Sequence, residues 1–385
     1  MVRSTSLFST ESTPASMSHH RFTQQAYLTP APSSGTTTST RASTSWPSAW
    51  APLPFSTSSP STPAPLSPGS NAKIVRSGAT TKRPKAGKIF NPNNSTTYSH
   101  VGCYNEDCID LHEVYNVPFG CIEETDTCLY SLRYGSSQYS VGKLGKDRPA
   151  LGNRDNSIVD DFVFGCREDD MFKGSEAGII GFGNKSYSFF NQLARKRSYN
   201  AFAYCFPIDH KFINYSLCSE LDVVLELVIP GYGKRWYAHA YSLLQVGMTI
   251  NGKRLEVDPS EFTRQLMFID SGTDDTFLSS PVYYAFDYAM AVAMRDKGYD
   301  RDYNAENKMV CFSRSASGGS VNWSGLPKVE MKFLRADLTL PPQNVFYEQP
   351  DGRICLVFHP DVAGIAGVQI LGNKATGSFR VVYDL

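Results

Sequence analysis

Met267-Phe268-Ile269-Asp270-Ser271-Gly272-Thr273 runs from three apolar residues straight into an aspartate, two hydroxyls and a glycine. Such a run predicts a short buried strand that delivers a carboxylate onto a tight turn. Gly272 lets the backbone approach closely there, and Ser271 and Thr273 offer hydroxyls to hold Asp270. About a hundred residues on comes Ile370-Leu371-Gly372-Asn373, and upstream lies Ile179-Ile180-Gly181-Phe182-Gly183. Both are apolar pairs closed by glycine. The strand context and these spaced echoes mark Asp270 as a working carboxylate rather than part of an ordinary surface turn.

Working outward, other β-type runs recur at Ser157–Phe164, Ala201–Phe206, Leu221–Ile229, Leu266–Ile269, Val329–Leu334, Ile354–His359 and Ser378–Tyr383, separated by turn residues. Pro281–Lys297 reads as the one long helix, with Ser280 placed to cap it and Pro281 suited to its first position. Ser186–Lys196 is a shorter helical candidate. The Phe/Tyr stripe in Tyr283–Tyr288 reads as a core-facing helix surface. The class is mostly β.

The N-terminal part differs. Residues 1–70 hold 40 Ser, Thr and Pro residues and four charges, Arg3, Glu11, Arg21 and Arg41. Such a stretch buries too little apolar surface to offset its chain entropy and reads as disordered. No continuous apolar segment of a secretory leader follows the start. Residues 71–88 are basic and read as a solvated linker.

Over the whole chain 37 basic and 37 acidic side chains cancel. A zero net charge argues against nucleic acid or an anionic membrane as partner, since those need a basic face. No apolar run reaches the roughly 18 residues of a membrane span. The histidines are scattered, and Gly181-Phe182-Gly183 lacks the lysine and helix start of a phosphate loop. No metal site and no cofactor are expected.

Nine cysteines stand at 103, 108, 121, 128, 166, 205, 218, 311 and 355. None forms the close Cys-x-x-Cys pair usual for zinc, so a disulfide framework and an oxidising compartment fit better. Sequons at Asn93, Asn94, Asn184, Asn214 and Asn322 point to the same secretory route.

Several motifs, in order over roughly 290 residues, carry a family resemblance. They are Phe90-Asn91-Pro92 with Ser95-Thr96-Thr97-Tyr98; Tyr134-Gly135-Ser136-Ser137-Gln138-Tyr139-Ser140-Val141-Gly142; and Phe162-Val163-Phe164-Gly165-Cys166. Ala177–Gly183, Phe202-Ala203-Tyr204-Cys205, the Asp270 turn and Val381-Val382-Tyr383-Asp384 complete the set. Together they resemble the pepsin-like aspartic peptidases, in the plant branch typified by nepenthesin.

The resemblance implies a bilobal β fold with a cleft between the lobes. Residues 88–207 would be an incomplete N-terminal lobe carrying the flap, and 208–385 a C-terminal lobe carrying Asp270, with 1–87 outside both. Each lobe of an active member supplies one Asp-Thr/Ser-Gly loop. Two neighbouring carboxylates cannot both ionise easily, so one stays protonated and the pair brackets the attacking water. By this match Asp270 is the second catalytic aspartate, Ser271, Gly272 and Thr273 orient it, and Tyr134 is the flap tyrosine. The implied disulfides are Cys103–Cys128 nested around Cys108–Cys121, and Cys311–Cys355. The substrate would be a protein or peptide and the protein a monomer.

The match departs at one decisive place. Residues 1–106 contain no aspartate, and no Asp-Thr-Gly occurs in the chain. Family-like sequence starts abruptly at Lys88. Either residues from about Tyr27 to Ala86 are translated from a frame foreign to the family, or the chain is a pseudoenzyme. The functional expectations are accordingly an aspartic endopeptidase scaffold that is inactive as written, and a non-catalytic binding protein on the same fold, resembling the plant xylanase inhibitors.

Overall fold

The computed structural model describes residues 90–115, 120–133, 139–149, 158–170, 179–183, 185–204, 206, 241–304, 309–314, 321–361 and 369–384, with the two-residue strands Val2–Arg3, Trp50–Ala51 and Leu225–Glu226. The chain divides into two compact units, Tyr27–Asn200 and Ala201–Leu385 with Met1–Ala26. Strands dominate both.

In the first unit one sheet runs Trp50–Ala51, Phe162–Asp170, Tyr139–Asp147, Thr127–Arg133, Gly120–Ile122, and Ser99–His100 adds to Tyr139–Asp147. The sequence motifs turn out to be its packing. Phe90 and Tyr98 meet Phe164 edge-on at ring distances of 5.7 and 6.2 Å, a favoured aromatic geometry. Ser95 and Thr97 donate their hydroxyls to the buried carboxylate of Asp147 at 3.1 and 2.5 Å. The strand expected over Ser157–Phe164 begins at Phe162 instead, because Asp161 takes a left-handed turn at φ 48°.

The helix expected over Ser186–Lys196 forms at Phe189–Arg197, and the Ser188 hydroxyl caps it by accepting the Asn191 N–H at 3.3 Å. Its Gln192 is buried and satisfies a strand from the side: Oε1 accepts the Val163 N–H at 2.8 Å and Nε2 donates to the Val163 carbonyl at 2.9 Å.

A helix the pattern did not announce, Glu106–Tyr115, turns Cys108 and Leu111 into a cluster with Val101, Cys128 and Tyr130. It settles the disulfides and corrects the nested pairing. Cys108 on its inner face bonds Cys128, and Cys103 bonds Cys121. The hairpin register sets Cys121 directly opposite Cys128, so each reaches a different upstream partner. Asp126 holds Cys103 beside the hairpin by accepting its N–H at 2.9 Å. Four cysteines allow three pairings, and spacing alone does not choose among them.

In the second unit a large apolar core gathers Met248, Met267, Phe286, Phe312, Met331 and Phe358 with many others. The long helix spans Ser280–Arg295 and buries Val282, Phe286, Met290 and Met294, spaced four apart on one face. It begins one residue earlier than expected, with Ser279 at the cap, because the Ser280 hydroxyl is taken by Asp361 at 2.5 Å. The aromatic stripe splits. Tyr283 is buried, whereas Tyr284 and Tyr288 face solvent.

Cys311 and Cys355 sit opposite one another on paired strands and form the expected disulfide. The run Ile354–His359 breaks at Val357 into Ile354–Leu356 and Phe358–Pro360, which belong to different sheets. Of Leu221–Ile229, only Leu225–Glu226 lies among the described residues.

Candidate functional site

The strand Met267–Ile269 lies parallel to Gln369–Leu371, and Thr276–Leu278 pairs on the other side of that same central strand. The connection from Asp270 to Asp275 must therefore pass over the end of Gln369–Leu371. The Asp270 N–H bonds the Leu371 carbonyl at 3.1 Å, and the Gly372 N–H bonds Thr276 Oγ1 at 3.1 Å. The two apolar runs first noticed a hundred residues apart are thus neighbouring strands of one site.

The turn itself holds the carboxylate. Gly272 N–H donates to Asp270 Oδ1 at 2.9 Å and Thr273 Oγ1 donates to Oδ2 at 2.7 Å. A Cβ at Gly272 would lie 3.2 Å from Asp270 Oδ1, so the bare glycine keeps that approach open. Asn373 supports the back of the turn: its N–H bonds the Thr273 carbonyl at 2.8 Å and its Nδ2 bonds the Ser271 carbonyl at 3.1 Å. The buried Asn344 holds the following segment, donating from Nδ2 to the carbonyls of Lys374, Ala375 and Gly377 at 2.8–3.1 Å.

The Tyr204 phenol, near enough to the turn to feel the charge of Asp270, meets the Tyr383 phenol at 3.3 Å. Burial pushes the Tyr204 phenol up, and the charge of Asp270 adds to that, so Tyr204 is a neutral phenol throughout the acid and neutral range. Tyr383 is raised by burial and by Tyr204 in the same way. Tyr204 and Tyr383 come from two recognised sequence motifs, yet nothing in their spacing showed that their phenols meet.

Behind the turn, Asp275 accepts Lys374 Nζ at 2.8 Å and meets His359 Nε2 at 3.1 Å. No local pattern announces this cluster, because its members lie 84 and 99 residues from Asp275. Tyr134, the flap candidate, lies outside the described residues, as do Cys205, Cys218 and the sequons at Asn184 and Asn214. Among the described residues Cys108, His112 and Cys128 form the group of metal-ligand types, but its two sulfurs are joined to each other.

Residues 60–215 match the family model for the xylanase inhibitor N-terminal domain, and residues 240–385 match that for the C-terminal domain. The chain belongs to the plant pepsin-like aspartic protease family. The family match begins at residue 60, ahead of the start at Lys88 read from the motifs.

Among relatives in this family, nepenthesin-2 of Nepenthes gracilis is 27% identical over 316 residues, covering 77% of this chain and 66% of that protein. Aspartyl protease family protein 2 of Arabidopsis thaliana is 29% identical over 314 residues, covering 77% and 60%. The chain thus spans about three-fifths to two-thirds of these relatives' length. The pepsin-like fold is shared with the crystal structure of edgp (TM-score 0.58, 16% identity, 76% and 81% covered). It is shared equally with basic 7S globulin from soybean (TM-score 0.57, 18% identity, 76% and 79% covered).

Proposed function

We propose that a polypeptide of this sequence presents one half of an aspartic-peptidase centre and binds protein or peptide chains without cleaving them. The observation that carries this is the Asp270 turn, built with donors on both carboxylate oxygens, in a sequence whose first 106 residues hold no aspartate. In a complete centre Asp270 would share a proton with its counterpart and polarise the attacking water, while Thr273 and Gly272 keep its oxygens fixed. Asn373, bonded to the Ser271 carbonyl, braces the turn from behind. A lone carboxylate cannot serve as both base and acid, and losing a positioned partner typically costs about 10²–10⁴-fold.

The relatives named as proteinases support the chemistry assigned to Asp270. The xylanase-inhibitor description of both family models supports a protein partner for a non-cleaving member. Its disulfides support a secretory route. Among the described residues no helix is long and apolar enough to cross a membrane.

The test is cleavage of an acid-unfolded protein by the purified full chain at roughly pH 3–5, with and without pepstatin and beside Asp270→Asn. No difference between the chain and its variant is expected. Pepstatin-sensitive cleavage that vanishes in Asp270→Asn would overturn the proposal. Sequencing the full-length transcript separates the two origins: an apolar strand ending in Asp-Thr-Gly in another frame before Phe90 would assign the gene to active peptidases.

A further inference from the structure

The Asp270 turn meets the Gly372–Thr376 turn through backbone groups: Asn373 N–H to the Thr273 carbonyl at 2.8 Å, and Lys374 N–H to the Asp274 carbonyl at 3.0 Å. Turns joined in this way open locally at little cost unless side chains also bridge them. Here one set of ionisable side chains bridges the same junction. Asp275 stands at the end of the Asp270 turn, Lys374 at the centre of the opposing turn, and His359 on the strand Phe358–Pro360, in register with Thr276–Leu278.

Both oxygens of Asp275 are used, Oδ1 by Lys374 Nζ at 2.8 Å and Oδ2 by His359 Nε2 at 3.1 Å. The Lys374 ammonium also lies 4.8 Å from the centre of the Tyr347 ring, whose hydroxyl accepts Gln349 Nε2 at 2.9 Å. The side chains are 24%, 36% and 14% exposed for Asp275, Lys374 and His359. An isolated surface pair would hold little. This one is half-buried, shares its anion between two donors and stacks its cation on an aromatic face. Burial pushes the Asp275 carboxyl up, but His359 and Lys374 outweigh that and hold it below the ordinary aspartate range.

We propose that Asp275, Lys374 and His359 are positioning residues for Asp270. The Asp275–Lys374 ion pair and the Asp275–His359 hydrogen bond lock the Gly372–Thr376 turn against the Asp270 turn and so fix the Gly272 and Thr273 donors that orient the carboxylate. The proposal rests on the reading of Asp270 as the site carboxylate, whereas its test needs no peptidase activity.

Amide hydrogen exchange and NMR shifts in the full chain supply that test. The reporters are Gly272, bonded to Asp270 Oδ1, and Asn373, bonded to the Thr273 carbonyl; Met331, in a core strand, is the control. Lys374→Met is expected to speed exchange at both reporters about 10-fold and to move the Gly272 resonance, while Met331 keeps its protection. Lys374→Arg, which keeps the charge and a donor, restores both. Asp275→Asn, of unchanged shape, gives the same reading should Lys374→Met not fold. Unaltered reporters, or an equal loss of protection at Met331, would overturn the proposal. Cleavage assays report separately on the half-centre, so the two ideas fail independently.

Discussion

Gly372 lies so close beneath Asp275 that a Cβ added to it would fall 2.3 Å from the Asp275 carbonyl oxygen and 2.8 Å from that of Asp274. Both obstacles are backbone, which cannot swing aside as a flexible side chain would. Gly372→Ala is therefore expected to lift the Asp270 turn off the central strand and to destabilise the second unit by about 3 kcal/mol. Urea denaturation checks this. A loss below about 1 kcal/mol would mean the two turns separate without cost.

Asn344 is buried and gives its amide hydrogens to three carbonyls of the segment 374–377. Leucine matches its size but offers nothing to those oxygens. Asn344→Leu is expected to cost about 2–4 kcal/mol, the penalty of stranding buried acceptors. Thermal unfolding beside Asn344→Gln, which keeps the amide, separates lost hydrogen bonding from altered packing.

The interlaced disulfides give a covalent check. Non-reducing digestion followed by mass spectrometry is expected to recover Cys103 with Cys121 and Cys108 with Cys128. Recovery of Cys103 with Cys128 would restore the nested arrangement. Replacing both Cys311 and Cys355 by serine frees a 44-residue loop, which loop-closure entropy sets at about 4 kcal/mol.

Asp275 also predicts a pH dependence of stability. Its folded carboxyl titrates below the unfolded value, because the hydrogen bonds and charges of His359 and Lys374 outweigh the opposing effect of burial. The contribution is full above an unfolded pKa of about 3.9 and drains away as pH falls through the lower folded value. The stability gap between the natural chain and Asp275→Asn should therefore be constant above about pH 5 and narrow on acidification below about 3.9. A gap that widens toward low pH would contradict the assigned direction.

The site's centre was legible from Met267 to Thr273 because a strand, a carboxylate and its hydroxyl partners are contiguous there. The motifs around Phe90, Tyr98 and Phe164 were legible as family marks, although their work is aromatic packing and the holding of Asp147. What stayed hidden depends on distant residues meeting. Tyr204 reaching Tyr383, Lys374 reaching Asp275 and Asn344 holding its three carbonyls leave no periodic trace. The helix Glu106–Tyr115 was missed because its inward face is short, carried by Cys108 and Leu111 between polar neighbours. The cysteine partners followed that helix and were misread with it.

The order of the central strands also bears on how the protein is made. The strand leading into Asp270 emerges from the ribosome about a hundred residues before Gln369–Leu371, the strand on which its turn must rest. During that interval the carboxylate is synthesised but has no cradle, and the apolar faces of Met267–Ile269 and Thr276–Leu278 lack the strand that joins them. Such late, non-local closure is slow and exposes sticky edges to other chains. A nascent chain stalled or cleaved shortly before Gln369 would thus hold every residue of the Asp270 turn and still lack the site.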